Sequence, residues 1–316
     1  MRQRLTVEAA IEAKSLSKSY KNVSVLKDVS FSVQKGTVFA LLGSNGAGKT
    51  TTINILTTLI KADGGTATVA GYDIVARPHK VRNEISLTGQ FAAVDDRLTG
   101  RENLLLIGDL RHVADSTGTA ADLLRRFGLE EAADRRVSTF SGGMRRRLDM
   151  AMSLIGSPAV IFLDEPTTGF DPQARNEMWR TIHKLAQDGT TVLLTTQHLE
   201  EADELADHIA VLHQGRIVAS GTAGELKKLV PSGLIELTFH DEEARDAAAQ
   251  VLGKSYAQAE GEGATLTITT DGTVAHVAGI FVGLEDARIE PTEFSQKVAT
   301  LDDVFLKITG AGREDE

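Results

Sequence analysis

The chain has 316 residues, room for one large domain and a small one. With 41% hydrophobic and 25% charged residues it has the composition of a globular protein, and its net charge of -10 argues against general nucleic-acid binding, which usually shows a basic face. There are no cysteines, so disulfides, thiolate metal sites and cysteine nucleophiles are excluded.

Residues 1–10 read as a loose N-terminal extension, without the apolar core of a signal peptide. Between Ile11 and Val33 the runs "IEAKSLSKSY" and "VSVLKDVSFSV" predict two strands. "TVFALLG" is an apolar run ending in glycine, as in a buried strand, and Ile53, Leu56 and Ile60 then follow at helical spacing. "GTATVAGYDI" predicts one further strand. A helical segment spans about residues 98–156. Strands return in "AVIFLDE" and "TTVLLTTQ", separated by the helix "QARNEMWRTIHKLAQDG" and followed by the helix "LEEADELAD" and the hairpin "HIAVLHQGRIVASG". The pattern is an α/β core with a helical insertion.

"VPSGL", Val230–Leu234, breaks the pattern and marks a domain boundary, giving residues 11–230 and 231–316. Beyond it Ile235, Leu237 and Phe239 alternate with polar residues, as do Leu266 and Ile268, predicting half-buried strands. "EEARDAAAQVLG" predicts a helix ending at Gly253, and Leu301, Val304, Phe305 and Ile308 form a helical stripe. This is a small α+β domain. The longest apolar stretch, "TVAHVAGIFVGL", has about a dozen residues, short of the roughly 20 that span a bilayer, so the chain is expected not to cross a membrane unaided.

Three motifs carry chemistry. "GSNGAGKT", Gly43–Thr50, fits the phosphate-loop pattern G-x-x-x-x-G-K-[ST] in its required strand-loop-helix context. Gly43, Ser44, Asn45, Gly46, Ala47 and Gly48 would turn backbone N–H groups toward phosphate oxygens, with Thr51 beside them at the helix start. Lys49 would neutralise the β/γ oxygens and the Thr50 hydroxyl would coordinate Mg²⁺. In "VIFLDEP", Asp164 at a buried strand's end could hold Mg²⁺, and strand alternation points Glu165 to the other side, where it could polarise water. In "TFSGGMRRRLDMAMSLI", Ser141 is a good N-cap and Gly142 and Gly143 expose N–H groups, a second candidate anion site. Arg145, Arg146 and Arg147 read as a solvated helix face rather than a nucleic-acid patch.

In this order and spacing, the three motifs resemble the ATP-binding cassette of ABC transporters over about Ile11–Val230. Met144 stands where the family signature usually has glutamine, and Phe170 where it has leucine. The resemblance implies a P-loop cassette, a mixed sheet with a RecA-like core, followed by the small domain. It implies that Tyr20 stacks on adenine, that Gln90 contacts Mg²⁺ and links to a membrane partner, that Asp171 belongs to the D-loop of "TTGFDP", and that His198 contacts the γ-phosphate. It implies ATP and Mg²⁺ as ligands, and a homodimer in which Ser141 of one copy covers the ATP of the other.

"SLTGQFAAVDDRLTGRENL", "FSGGMRRRLDMAMSLIGSP" and "LDDVFLKITG" further resemble the ATP-binding subunits of daunorubicin/doxorubicin-resistance drug exporters, along nearly the whole chain. This implies an efflux ATPase peripheral to the cytoplasmic membrane face, paired with a separate transmembrane permease, and a C-terminal domain serving subunit contacts or regulation. Other members of the superclass fit less well. DNA-repair ATPases insert long coiled coils, whereas only about 115 residues (164 minus 49) separate Lys49 from Asp164, without sustained heptads. Ribosome-associated ATPases carry two cassettes. A non-hydrolysing binding module would lack catalytic groups present here, and an importer ATPase would not need the exporter-like tail. ABC ATPases of non-drug transport or of non-transport systems are the alternatives.

Overall fold

Three runs, residues 38–42, 160–163 and 191–196, are buried along their whole length. A strand buried on both faces carries no polar alternation, and such strands form parallel sheets covered by helices. In the computed structural model, which describes residues 9–89, 93–230, 233–253, 259–270 and 273–310, these runs are neighbours in one sheet.

Contacts divide the chain into two units, residues 1–222 and 223–316. The first contains β1 (Ala9–Tyr20), β2 (Val23–Gln34), β3 (Val38–Leu42), α1 (Lys49–Leu56), β4 (Gly64–Val69), β5 (Tyr72–Asp73), α2 (Pro78–Glu84), β6 (Ile85–Thr88), α3 (Gly100–Leu110), α4 (Ser116–Arg126), α5 (Gly142–Ser153), β7 (Val160–Asp164), α6 (Pro172–Gln187), β8 (Thr191–Thr196), α7 (Leu199–Leu205), β9 (His208–His213) and β10 (Arg216–Gly221). The central sheet runs β10-β9-β3-β8-β7-β6, parallel except for the β9–β10 hairpin. Parallel pairing brings the carboxyl ends of β3, β7 and β8 to one edge, where ligands of open α/β sheets bind.

An antiparallel sheet, β2-β1-β4-β5, forms a second layer. Ile11, Leu16, Leu26 and Val29 from it share a buried cluster with Ile53, Ile55 and Leu56 of α1 and with Phe39 of β3. The segment expected as one strand, "GTATVAGYDI", is two. Ala70 and Gly71 have φ of 51° and 80° and turn the chain between β4 and β5. The helical segment holds α3, α4 and α5. A capping box fixes the start of α3: Thr99 Oγ1 accepts from Glu102 N at 3.1 Å, and Thr99 N donates to Glu102 Oε2 at 2.8 Å.

The second unit contains α8 (Ala223–Lys227), β11 (Gly233–Thr238), α9 (Glu242–Leu252), β12 (Ala259–Glu262), β13 (Thr265–Thr270), α10 (Val274–Asp286), β14 (Glu293–Val298) and α11 (Leu301–Thr309). Its antiparallel sheet runs β12-β13-β11-β14. Ile235, Leu237, Leu266 and Ile268 point inward, as their alternation requires, and pack on Ala248 and Leu252 of α9 and Ile280 and Leu284 of α10. Helix α8 packs with α11 in this unit, although it precedes the break at Val230. Lys307 Nζ donates to Leu229 O at 2.8 Å. Among the described residues no helix is long and apolar enough to cross a membrane. The 13 residues of α10 reach only about 20 Å.

Candidate nucleotide site

The loop between β3 and α1 is shaped by two glycines. At Gly43 a Cβ would lie 2.3 Å from Leu212 O. Gly48, the N-cap of α1, has φ 112°, and a Cβ there would lie 2.5 Å from Leu26 Cδ2. Gly43 N donates to Thr196 O at 3.1 Å, tying the loop to β8. Ser44, Asn45 and Gly46 are exposed, Ala47 is buried and Thr51 is half-buried.

Lys49 begins α1 and is 4% exposed. Its Nζ donates to Gly43 O at 2.8 Å and Ser44 O at 3.2 Å, and lies 3.4 Å from Glu165 Oε1. Next to it, Thr50 Oγ1 donates to Asp164 Oδ2 at 3.0 Å. The two carboxylates that close β7 therefore converge on two adjacent residues of one helix start. This corrects the expectation that Glu165 faces away from Asp164. Strand alternation holds only while the backbone stays extended, and Glu165 has φ 49°. The chain leaves the pleat there and returns the side chain to the phosphate loop.

Thr195 holds this corner together and escaped the sequence reading. Its hydroxyl donates to Asp164 Oδ1 and accepts from Glu165 N at 3.2 Å, while its carbonyl accepts from the same N–H at 3.1 Å. It looked like one more threonine of a buried strand; its register opposite Asp164 was the available signal.

Ser141 caps α5, its Oγ accepting from Met144 N at 3.2 Å. With Gly142 and Gly143 it lines a cavity of about 500 Å³, shared with Gly169, Phe170 and Asp171. Asp171 caps α6, accepting from Ala174 N at 2.8 Å. None of residues 43–51 lines this cavity. One chain thus presents the phosphate loop and the serine-glycine helix start on separate surfaces. His198 caps α7 just past the carboxyl end of β8 and is exposed; its N–H donates to Thr196 Oγ1 at 2.9 Å. Tyr20 ends β1, 45% exposed, with Lys18 Nζ 5.7 Å from its ring centre. Gln90 lies outside the described residues.

The three arginines of α5 do not form a solvated face. Arg145 pairs with Asp96, and Arg147 Nη1 donates to Phe127 O at 3.2 Å. Arg146 is buried, because α5 turns this position toward the strand ends. Its Nη1 donates to Gly89 O at 2.7 Å and Asp149 Oδ2 at 3.2 Å, and its Nε to Pro166 O at 3.3 Å. Asp149 Oδ1 accepts from Ala93 N at 3.0 Å. Burial pushes the Arg146 guanidinium below its usual range and the Asp149 carboxyl above its own; both departures are dominated by lost solvation, which their mutual attraction only partly offsets. Glu201 of α7 is also buried, accepting from Thr167 Oγ1 at 2.7 Å.

The donor set suits a small hard cation that keeps its own waters. Thr50 Oγ1 and Asp164 offer oxygens side by side. Among the described residues no group of three His, Cys, Asp or Glu could hold a metal alone. Mg²⁺ usually takes one or two protein oxygens plus substrate phosphates, and the residues fit that habit.

The ABC transporter family model matches residues 26–168. The chain is 43% identical to the daunorubicin/doxorubicin resistance ATP-binding protein DrrA of Streptomyces peucetius, over 97% of this chain and 94% of that protein. It is 37% identical to Nod factor export ATP-binding protein I of Paraburkholderia xenovorans, over 98% and 99%. A solved ATP-binding subunit of an ABC transporter superposes with a TM-score of 0.62 at 29% identity, over 70% of this chain and 92% of that one. The chain belongs to the ATP-binding subunits of ABC transporters, the transport ATPases with a P-loop cassette fold.

Proposed function

We propose that the chain hydrolyses Mg-ATP to drive export of a drug-like substrate through a separate transmembrane permease. The observation that carries this reading is the convergence of Asp164 and Glu165 on Thr50 and Lys49 at one sheet edge, in a chain similar end to end to a drug-resistance ATPase. Lys49 and the loop N–H groups bind the β- and γ-phosphates. Thr50, Asp164 and Gln90 would hold Mg²⁺, which when bound neutralises phosphate charge. Tyr20 stacks on the adenine. Glu165 orients and polarises the attacking water, accepting its proton as the new oxygen–phosphorus bond forms and ADP leaves. His198 steadies the γ-phosphate.

Ser141, Gly142 and Gly143, with Asp171 beside them, face a second copy of the chain and cover its ATP. The separation of this surface from the phosphate loop supports that division of labour. The ATPase would work at the cytoplasmic membrane face through its permease, without nucleic acid, and the second unit would serve subunit contacts or regulation. The Nod factor relative, similar over almost the same length, supports a cargo of different chemistry as the second reading.

Purified protein with and without Glu165→Gln tests this. The variant should lose about a hundredfold or more in turnover while binding Mg-ATP. In saturating ATP it should elute as a dimer, and adding Ser141→Arg should return it to monomer. Unchanged turnover in Glu165→Gln would remove Glu165 from its role.

A further inference from the structure

Arg146 and Asp149 are spent on neither the phosphates nor the cation, yet both are buried. They sit one helical turn apart on α5, whose N-cap is Ser141. Their partners are three backbone groups, two flanking Gln90 after β6 and one after β7. Gly89 O directly precedes Gln90, Ala93 N lies three residues after it, and Pro166 O directly follows Glu165. One ion pair therefore fastens the helix that begins at Ser141 to the backbone next to both Gln90 and Glu165.

Stability alone does not account for it. Taking a guanidinium and a carboxylate out of water is costly, and apolar residues of similar size often serve as well or better. Arg146 Nη2 has no acceptor among the described residues, so the guanidinium is incompletely compensated. What an apolar pair cannot supply is direction. The guanidinium is a planar fork whose donors fix the carbonyls of Gly89 and Pro166 relative to each other.

We propose that Arg146, held by Asp149, is a positioning residue for ATP hydrolysis, setting the Glu165 backbone in register with the helix that presents Ser141. This rests on the hydrolytic roles given above. Through it, the site that cleaves ATP in one copy and the surface that covers ATP in the other move as one rigid piece. Reorientation of α5 by the second copy would reach the backbone beside Glu165 through the hydrogen bond from Arg146 Nε to Pro166 O.

The test is the double variant Arg146→Met with Asp149→Leu, which refills the volume without charge, compared with Arg146→Lys and wild type. Three readouts are taken on the full chain: Tm, equilibrium binding of a fluorescent ATP analogue, and kcat and KM for Mg-ATP. The double variant should keep the wild-type Tm or exceed it and bind the analogue within about twofold. Its kcat should fall about tenfold to a hundredfold, the size of effect a small misplacement of reacting groups produces. Arg146→Lys keeps the charge but not the fork and should lie between the two. A kcat within about twofold of wild type in the double variant overturns the proposal. So does a fall in kcat matched by loss of Tm and of nucleotide binding, which would mark a merely structural pair. If the wild-type chain itself shows no turnover, the hydrolytic reading fails first and this inference with it.

Discussion

The Lys49 ammonium and the Glu165 carboxylate lie 3.4 Å apart, joining the first residue of α1 to the first residue past β7. Both side chains are largely buried, at 5% and 15% exposure, so their attraction is weakly screened. The carboxylate proposed to act on water is thus paired with the cation proposed to bind phosphate. On the proposed roles, an incoming γ-phosphate would compete for Lys49 and so free Glu165 as the substrate arrives.

Lys49→Ala removes that competition together with the phosphate contact. Charge-assisted hydrogen bonds contribute about 1.5–3 kcal/mol, so ATP affinity should fall about tenfold to a hundredfold. Isothermal titration with ATP measures it, and unchanged affinity would remove Lys49 from the phosphate site.

Thr195→Val keeps the shape of a fully buried side chain and deletes the hydroxyl shared by Asp164 and Glu165 N. Groups that orient a metal ligand typically matter about 10–100-fold. The concentration of Mg²⁺ giving half-maximal turnover should rise by that order, with Thr195→Ser near wild type. A Mg²⁺ titration identical for all three proteins would refute the role.

Gly48→Ala places a methyl group against Leu26 at a φ of 112°. Strain of this kind costs about 1–3 kcal/mol. For a unit of this size that lowers Tm by about 2–12 °C. Gly46→Ala, also at positive φ but with open space around it, should lower Tm less. Calorimetry orders the two, and the reverse order would contradict the packing argument.

Leu237→Ala opens a cavity in the second unit, where that side chain is fully buried. The expected cost is about 2–5 kcal/mol. Because the unit has its own core, its melting should move down while ATP binding stays at the wild-type level. A parallel loss of nucleotide affinity would mean that the two cores are energetically coupled.

The phosphate loop was legible because glycine, lysine and threonine are imposed there by backbone geometry and charge, and the structure brings Lys49 and Thr50 of that loop to Glu165 and Asp164. The strands of the second unit were legible because Ile235, Leu237, Leu266 and Ile268 alternate against one buried face. Glu165 was misjudged because alternation is a property of extended backbone, and nothing in "LDEP" announces a left-handed residue. Arg146 was misjudged because three arginines in a row read as solvent-facing, whereas a helix turns each to a different neighbourhood. Its spacing of three from Asp149 was the signal that could have found it. The short α2 and β6 went unread because seven and four residues are too few to show a period.

Strand β3 lies between β8 and β9, so the strand that delivers the phosphate loop waits for partners at least 149 residues later in the chain (191 minus 42). At about 5–20 residues per second, a ribosome takes roughly 8–30 s to supply them. Through that interval β3 has neither of its sheet neighbours and the loop that follows it lacks Thr196, while Asp164 and Glu165 are added only in its last part. Assembly of the nucleotide site is therefore a late event of synthesis. A nascent chain halted before β8 should be protease-sensitive around β3, and ATP should not protect it.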